Sequence, residues 1–347
     1  MTSIPIPENP FPNPYNHNIV WNPIIGFVDM DIVGHIILNN DNSFFKIMLF
    51  NMLSGDMGYY RGENKNFSAF KTSWQRLDNS LKRCLEWILK EEFLAWFQKT
   101  PYYTYFASKI EFAYSDNLPE GQGAKFAFDF EAIAQHYGFA TNYLDITTKR
   151  DIAEFFACTY WDIKEEKYKP VEDFNKYCPH IFTSFGSNIL LNPSNPDIRI
   201  VGFQPLLRPI CQFAMAINFD NPSVDYNNEF HRIDLPQEKS KTFEVYDKFK
   251  GGEELFPSDY ATQSAKMIRD KTEKYRNIND KIFIKYCKTF NQNPKDIAKR
   301  LNNKGYYISN IELQMTDELL QNMQKHIDET LIPWLNKYVT YSPTIKQ

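Results

Sequence analysis

Ala134-Gln135-His136-Tyr137-Gly138-Phe139-Ala140-Thr141-Asn142-Tyr143-Leu144-Asp145-Ile146-Thr147, continued by Thr148 and by Ala153-Glu154-Phe155-Phe156-Ala157, is the stretch on which the fold turns. It reads as a helix end, a turn and a second helix start. A helix expected over about 128–137 stops at Gly138, placed where a left-handed C-terminal cap needs no Cβ. Asp145 and the threonines follow as a turn, a setting in which a short carboxylate caps well. Thr148 is the expected N-cap of the next helix. Asp151, three residues on, places a carboxylate near the positive helix end, and Ile152, Phe155 and Phe156 form the buried face.

Working outward, Trp74, Leu77, Leu81, Cys84, Leu85, Ile88 and Leu89 recur at three- and four-residue spacing. Phe93 and Trp96 continue the stripe and Pro101 lies beyond it, so a core helix is expected. Short strands are expected over 24–38, and a short helix over Phe44–Leu53 with Asn42 or Ser43 as its cap. Ile181–Thr183, Ile198–Val201 and Ile210–Phe219 are rich in β-branched and aromatic residues and read as strands. Pro222–Lys250 reads as a polar loop. Ser258–Arg276 reads as a helix capped by Ser258, Lys281–Ile284 as a strand, Pro294–Asn302 as a helix with proline at its first position, and Asp317–Asn336 as a last helix capped by Thr316. The class is α+β, with mixed or antiparallel sheets and flanking helices. Residues 1–23, with six prolines, form an extended arm before one domain over 24–340.

At 347 residues with 43% hydrophobic and 16% aromatic content, the chain can bury a large core. A net charge of −4 gives no strong nucleic-acid signal. The longest apolar runs fall far short of the roughly 20 residues of a membrane span, so no membrane partner is expected. With no secretory leader pattern, a cytoplasmic location is expected. Five scattered cysteines without a Cys-x-x-Cys argue against a disulfide framework and a zinc site, and no metal is expected.

Gly58-Tyr59-Tyr60-Arg61-Gly62 precedes the opening stretch by some seventy residues. Together the two segments resemble the signature of the FRG domain family: an aromatic-Arg-Gly tripeptide, then Gln-His-x-Gly, Leu-Asp-x-Thr and Ala-x-x-Phe-Ala. Arg208-Pro209-Ile210-Cys211-Gln212 is similar to the family's downstream Arg-x-x-x-Gln strand. Two places, Leu255-Phe256-Pro257 and the helix-then-turn run Pro294–Leu313, are similar to its closing Leu-Phe-Pro segment. A more distant likeness is to ADP-ribosyltransferases, whose first-strand arginine holds NAD. It implies a split sheet, NAD as cofactor and a nucleotide-like small molecule as partner. Those enzymes carry a catalytic glutamate on a strand where this chain offers Gln212. An amide can bond a ribose hydroxyl but cannot act as a base.

Read as residues, Arg61 offers a planar five-donor fork suited to phosphate, and Gly62 lets backbone approach a ligand without a Cβ between them. Gln135, Thr147 and Gln212 complete the expected binding set. The expected catalytic pair is His136 and Asp145, the carboxylate raising the pKa of the imidazole and fixing its tautomer. Two other readings stand beside an ADP-ribose-transferring or -hydrolysing enzyme. One is a non-catalytic module that recognises a protein or nucleic acid, and the other a metal-dependent nuclease using Asp145, His136 and Glu131.

Overall fold

Six strands, ordered Ile198–Ile200, Ala214–Asn218, Tyr143–Thr147, Gly58–Glu63, His180–Phe185 and His231–Asp234, form an antiparallel sheet at the centre of the protein. The computed structural model describes residues 58–67, 69–109, 111–112, 124–125, 128–185, 198–201, 204–219, 230–313 and 315–331. It also describes the backbone of strands Trp21–Asn22, Gly26–Phe27, Gly34–Asn40 and Ser43–Leu49. With helices packed on the sheet, the fold is α+β. The proline-rich lead up to residue 20 and the expected helix beyond residue 331 lie outside the described residues.

The stretch expected as a turn around Asp145 is one of the two inner strands at the middle of this sheet. Side chains alternate across a strand. Leu144 and Ile146 join Tyr59, Met215 and Ile217 in one core cluster, while Tyr143 joins Ala214 and Ala216 in another. A turn residue is exposed at a chain reversal; Asp145 is instead held straight by pairing with Ala216.

Helix Arg150–Cys158 lies against the Tyr-Arg-Gly strand, burying Ile152, Ala153, Phe155 and Ala157 with Tyr60 and Ile181. Gly62 permits this contact. A Cβ there would sit 1.8 Å from the Ala153 carbonyl oxygen and 2.8 Å from the Ala157 amide nitrogen. The Arg-Gly and Ala-x-x-Phe-Ala motifs are therefore two sides of one strand–helix contact. The expectation that Gly62 clears space for a ligand is corrected: a helix backbone fills that space.

The long stripe forms helix Ser80–Phe97, capped by the Asn79 side chain on the Lys82 amide. Gly138, at φ 86°, follows helix Phe130–His136 as expected. Pro294 opens helix Pro294–Asn302, and Thr316 caps helix Asp317–His326.

Other expectations are corrected. Ser43–Leu49 is a strand paired with Gly34–Asn40, because a neighbouring strand decides the state of a short apolar run. The polar stretch 222–250 contains strand His231–Asp234 and helix Lys239–Lys248, which buries only Thr242 and Val245. Lys281–Ile284 belongs to helix Asp280–Thr289. Lys149 and Asp259, each one residue later than expected, stand at the N-caps of helices Arg150–Cys158 and Tyr260–Glu273. The expected strand Ile210–Phe219 is preceded by helix Leu207–Cys211, turns through Phe213 at φ 44° and begins at Ala214. Among the described residues, no helix is long and apolar enough to cross a membrane.

Candidate functional site

Within Tyr143–Thr147 every residue is buried except Asp145, which is exposed although strands flank it on both sides. Solvent therefore reaches this strand over one carboxylate. The Gln135 side-chain amide, from helix Phe130–His136, donates to the Asp145 carboxylate, and the Thr141 hydroxyl donates to the oxygen of the same amide. The amide is thus gripped at both ends and fixes the carboxylate's direction.

Arg61 approaches from the neighbouring strand. The two strands pair at Tyr60 opposite Thr147. Where that ladder would run on to Gly62 and Asp145, the Asp145 backbone carbonyl accepts from Arg61 Nη1 at 2.8 Å. Arg61 Nε donates to Glu63 Oε1 at 2.9 Å, and these side chains are 15% and 5% exposed. Arg61 is thus neutralised in place by a buried carboxylate while it closes a gap between strands.

His136 is 8% exposed and its Nε2 has no partner among the described residues. Burial pushes its pKa down, with the Asp145 charge opposing and the Arg208 charge assisting. The expectation of a raised His136 pKa is corrected: desolvation outweighs attraction. The side chain that donates to Asp145 is Gln135.

Gln212 ends helix Leu207–Cys211 rather than standing on a strand. It is 7% exposed, and its amide donates to the Leu255 carbonyl at 2.9 Å. The Thr147 hydroxyl donates to the Gln212 carbonyl at 2.9 Å and accepts from the Lys149 amide. Thr147 and Gln212 therefore tie the sheet to the segments beside it.

Arg208 was missed as a site residue in the sequence, although it heads the segment similar to the Arg-x-x-x-Gln strand. Its guanidinium carbon lies 5.2 Å from the Tyr137 ring centre and 5.7 Å from that of Phe256, which stacks on Tyr168. Its Nη1 donates to the His136 carbonyl at 3.3 Å, while its buried Nε has no partner among the described residues. Of the two places similar to the closing Leu-Phe-Pro segment, Leu255-Phe256-Pro257 is the one that meets Arg208 and Gln212.

On the far side of Glu63, His180 is fully buried, its Nδ1 2.7 Å from the Cys178 carbonyl and its Nε2 3.9 Å from Glu63. Cys178, His180 and Asp234 bring one donor atom each within 4.8 Å of one another. Arg232 bonds both the Cys178 sulfur, at 3.4 Å, and Asp234, at 2.6 Å. The Arg232 guanidinium thus ties Cys178 to Asp234.

Antiparallel sheet, covering helices and an exposed carboxylate held by Gln135 define the class, an α+β protein with a polar site over its middle strands. The family model of the FRG domain matches residues 57–166, so this chain carries an FRG domain from the Tyr-Arg-Gly strand past helix Arg150–Cys158. Gln135, Asp145 and the strand–helix contact at Gly62 all fall inside it. No curated protein and no solved structure matches the chain.

Proposed function

We propose that the cleft over Asp145 takes a nucleotide-like ligand such as NAD and transfers or hydrolyses its ADP-ribose. The exposed carboxylate in the middle of an otherwise buried inner strand carries this reading. Cleavage of a nicotinamide–ribose bond passes through an oxocarbenium-like state, which a fixed carboxylate stabilises. Gln135 holds Asp145 in one direction, so no reorientation is needed when that charge develops. In hydrolysis the bonding pair leaves with nicotinamide, water adds to the ribose carbon, and the water proton passes to solvent. Burial favours the neutral form of His136, whose backbone carbonyl accepts from Arg208 beside Gln135.

Nicotinamide release from NAD, measured beside a thermal melt, tests the proposal. Asp145→Asn is expected to lower the rate by about 100-fold or more with an unchanged melt, since Asn keeps the shape and one acceptor for Gln135. Wild-type protein that neither releases nicotinamide nor gives binding heat with NAD would favour the second reading, a non-catalytic module that recognises a protein or nucleic acid. The engagement of Gln212 in a backbone bond favours that reading.

A further inference from the structure

Two arginines bond the backbone of the site, Arg61 at the Asp145 carbonyl and Arg208 at the His136 carbonyl, and their surroundings differ in the property that matters for an anion. Arg61 is paired to a buried carboxylate and spends a second donor on a backbone carbonyl. An incoming phosphate would have to displace Glu63 or sit beside it. Arg208 has no carboxylate within ion-pair distance among the described residues. Its single hydrogen bond among the described residues is long, at 3.3 Å to a neutral carbonyl. Its Nε is buried and unpartnered among the described residues, and two aromatic rings lie beside the guanidinium.

A buried guanidinium donor without a partner is costly, and charged groups taken from water are ordinarily paired. The His136 Nε2, also buried and unpartnered, belongs to the same wall, and the Arg208 charge acts on that ring. The Tyr137 hydroxyl is committed to Asp259 at 2.5 Å, so Asp259 is occupied and Tyr137 offers Arg208 its ring. Asp145, whose charge also acts on the His136 ring, is claimed by Gln135.

We propose that Arg208, framed by Tyr137 and Phe256, is the arginine that receives the anionic group of the cleft's ligand, a phosphoryl or pyrophosphoryl group. This rests on the reading of the cleft as a nucleotide site, and it assigns the phosphate end. A fork whose Nε and remaining Nη are uncommitted can bind two phosphoryl oxygens once the side chain turns its Nε edge out of the wall, a grip that a lysine ammonium cannot reproduce. The carboxylate of Asp145 then stands toward the sugar end, where like charge does not oppose the phosphate.

Inorganic pyrophosphate is the probe, titrated into the full chain by calorimetry. Wild-type protein is expected to bind it, and Arg208→Lys to weaken binding at least about tenfold. Arg269→Lys serves as the control, because Arg269 also stacks on a ring but is already paired to Glu86. On unmutated protein, phenylglyoxal modification of Arg208, followed by peptide mass spectrometry, should slow when pyrophosphate is present; this arm decides if the lysine variant does not fold. Binding kept by Arg208→Lys, lost instead in Arg61→Lys, or absent from wild type together with no protection of Arg208 would each overturn the proposal. Pyrophosphate binding that depends on Arg208, with neither heat nor turnover from NAD, would uphold the anion subsite and refute the dinucleotide reading.

Discussion

Replacing Gly62 by alanine inserts a methyl carbon 1.8 Å from the Ala153 oxygen and 2.8 Å from both the Ala153 carbonyl carbon and the Ala157 nitrogen. All three atoms are backbone, so no side-chain rotation relieves the overlap. Helix Arg150–Cys158 must retreat from the strand by on the order of 1 Å, which opens the contacts of Tyr60 with Ile152 and Phe155 on both sides of the insertion. Overpacking a close-packed core costs about 1–3 kcal/mol, and a clash with rigid backbone belongs at the top of that range. For a protein of 347 residues, about 3 kcal/mol lowers Tm by roughly 4 °C. Differential scanning calorimetry of wild type and Gly62→Ala measures it directly. The partner variant Ala153→Gly should rescue nothing, because the offending atom is the Ala153 carbonyl and not its methyl. A Gly62→Ala melt within about 1 °C of wild type, or full rescue by Ala153→Gly, would refute the strand–helix account of this motif.

Two further outcomes follow from buried groups elsewhere in the fold. Tyr137→Phe removes the donor that Asp259 accepts at 2.5 Å, and both residues are buried; urea unfolding should show a loss of about 1–3 kcal/mol, and a change near zero would mean the bond contributes nothing net. Burial depresses the pKa of His136, His180 and His326. Below the ordinary histidine value of about 6.5 the unfolded chain therefore binds protons that the native state refuses, and stability falls as pH falls. The loss approaches about 1.4 kcal/mol per pH unit for each histidine involved. The Glu92 carboxyl, raised by burial, acts in the opposite sense. Urea midpoints at pH 7.0 and 5.5 should therefore decline on acidification, and a flat or rising profile would contradict the buried, neutral state of these rings.

The elements legible in the sequence are those whose causes lie within a few residues. Gly138 ends its helix because a left-handed cap needs no Cβ, Pro294 opens one because its missing N–H is unneeded there, and Thr316 caps one through its own hydroxyl. The stripe from Leu81 to Trp96 is a helix for the same reason: its periodicity is its own. Arg61, Gln135 and Asp145 could be named together from their motifs, and they come to lie within hydrogen-bonding reach of one another's chain segments.

Where the cause lies far along the chain, the tertiary structure decided. Asp145 is a strand residue because Ala216 pairs with it, and Leu144 and Ile146 are buried against residues from two other strands. Gly62 is required by a helix some ninety residues downstream, and only the packing shows that this helix, and no ligand, fills its space. Arg61 and Arg208 are alike as letters. Glu63 neutralises the first, while Tyr137 and Phe256 frame the second, whose charge has no ion-pair partner among the described residues. A guanidinium's availability depends on what three-dimensional neighbours spend its donors, and no local pattern of residues carries that information.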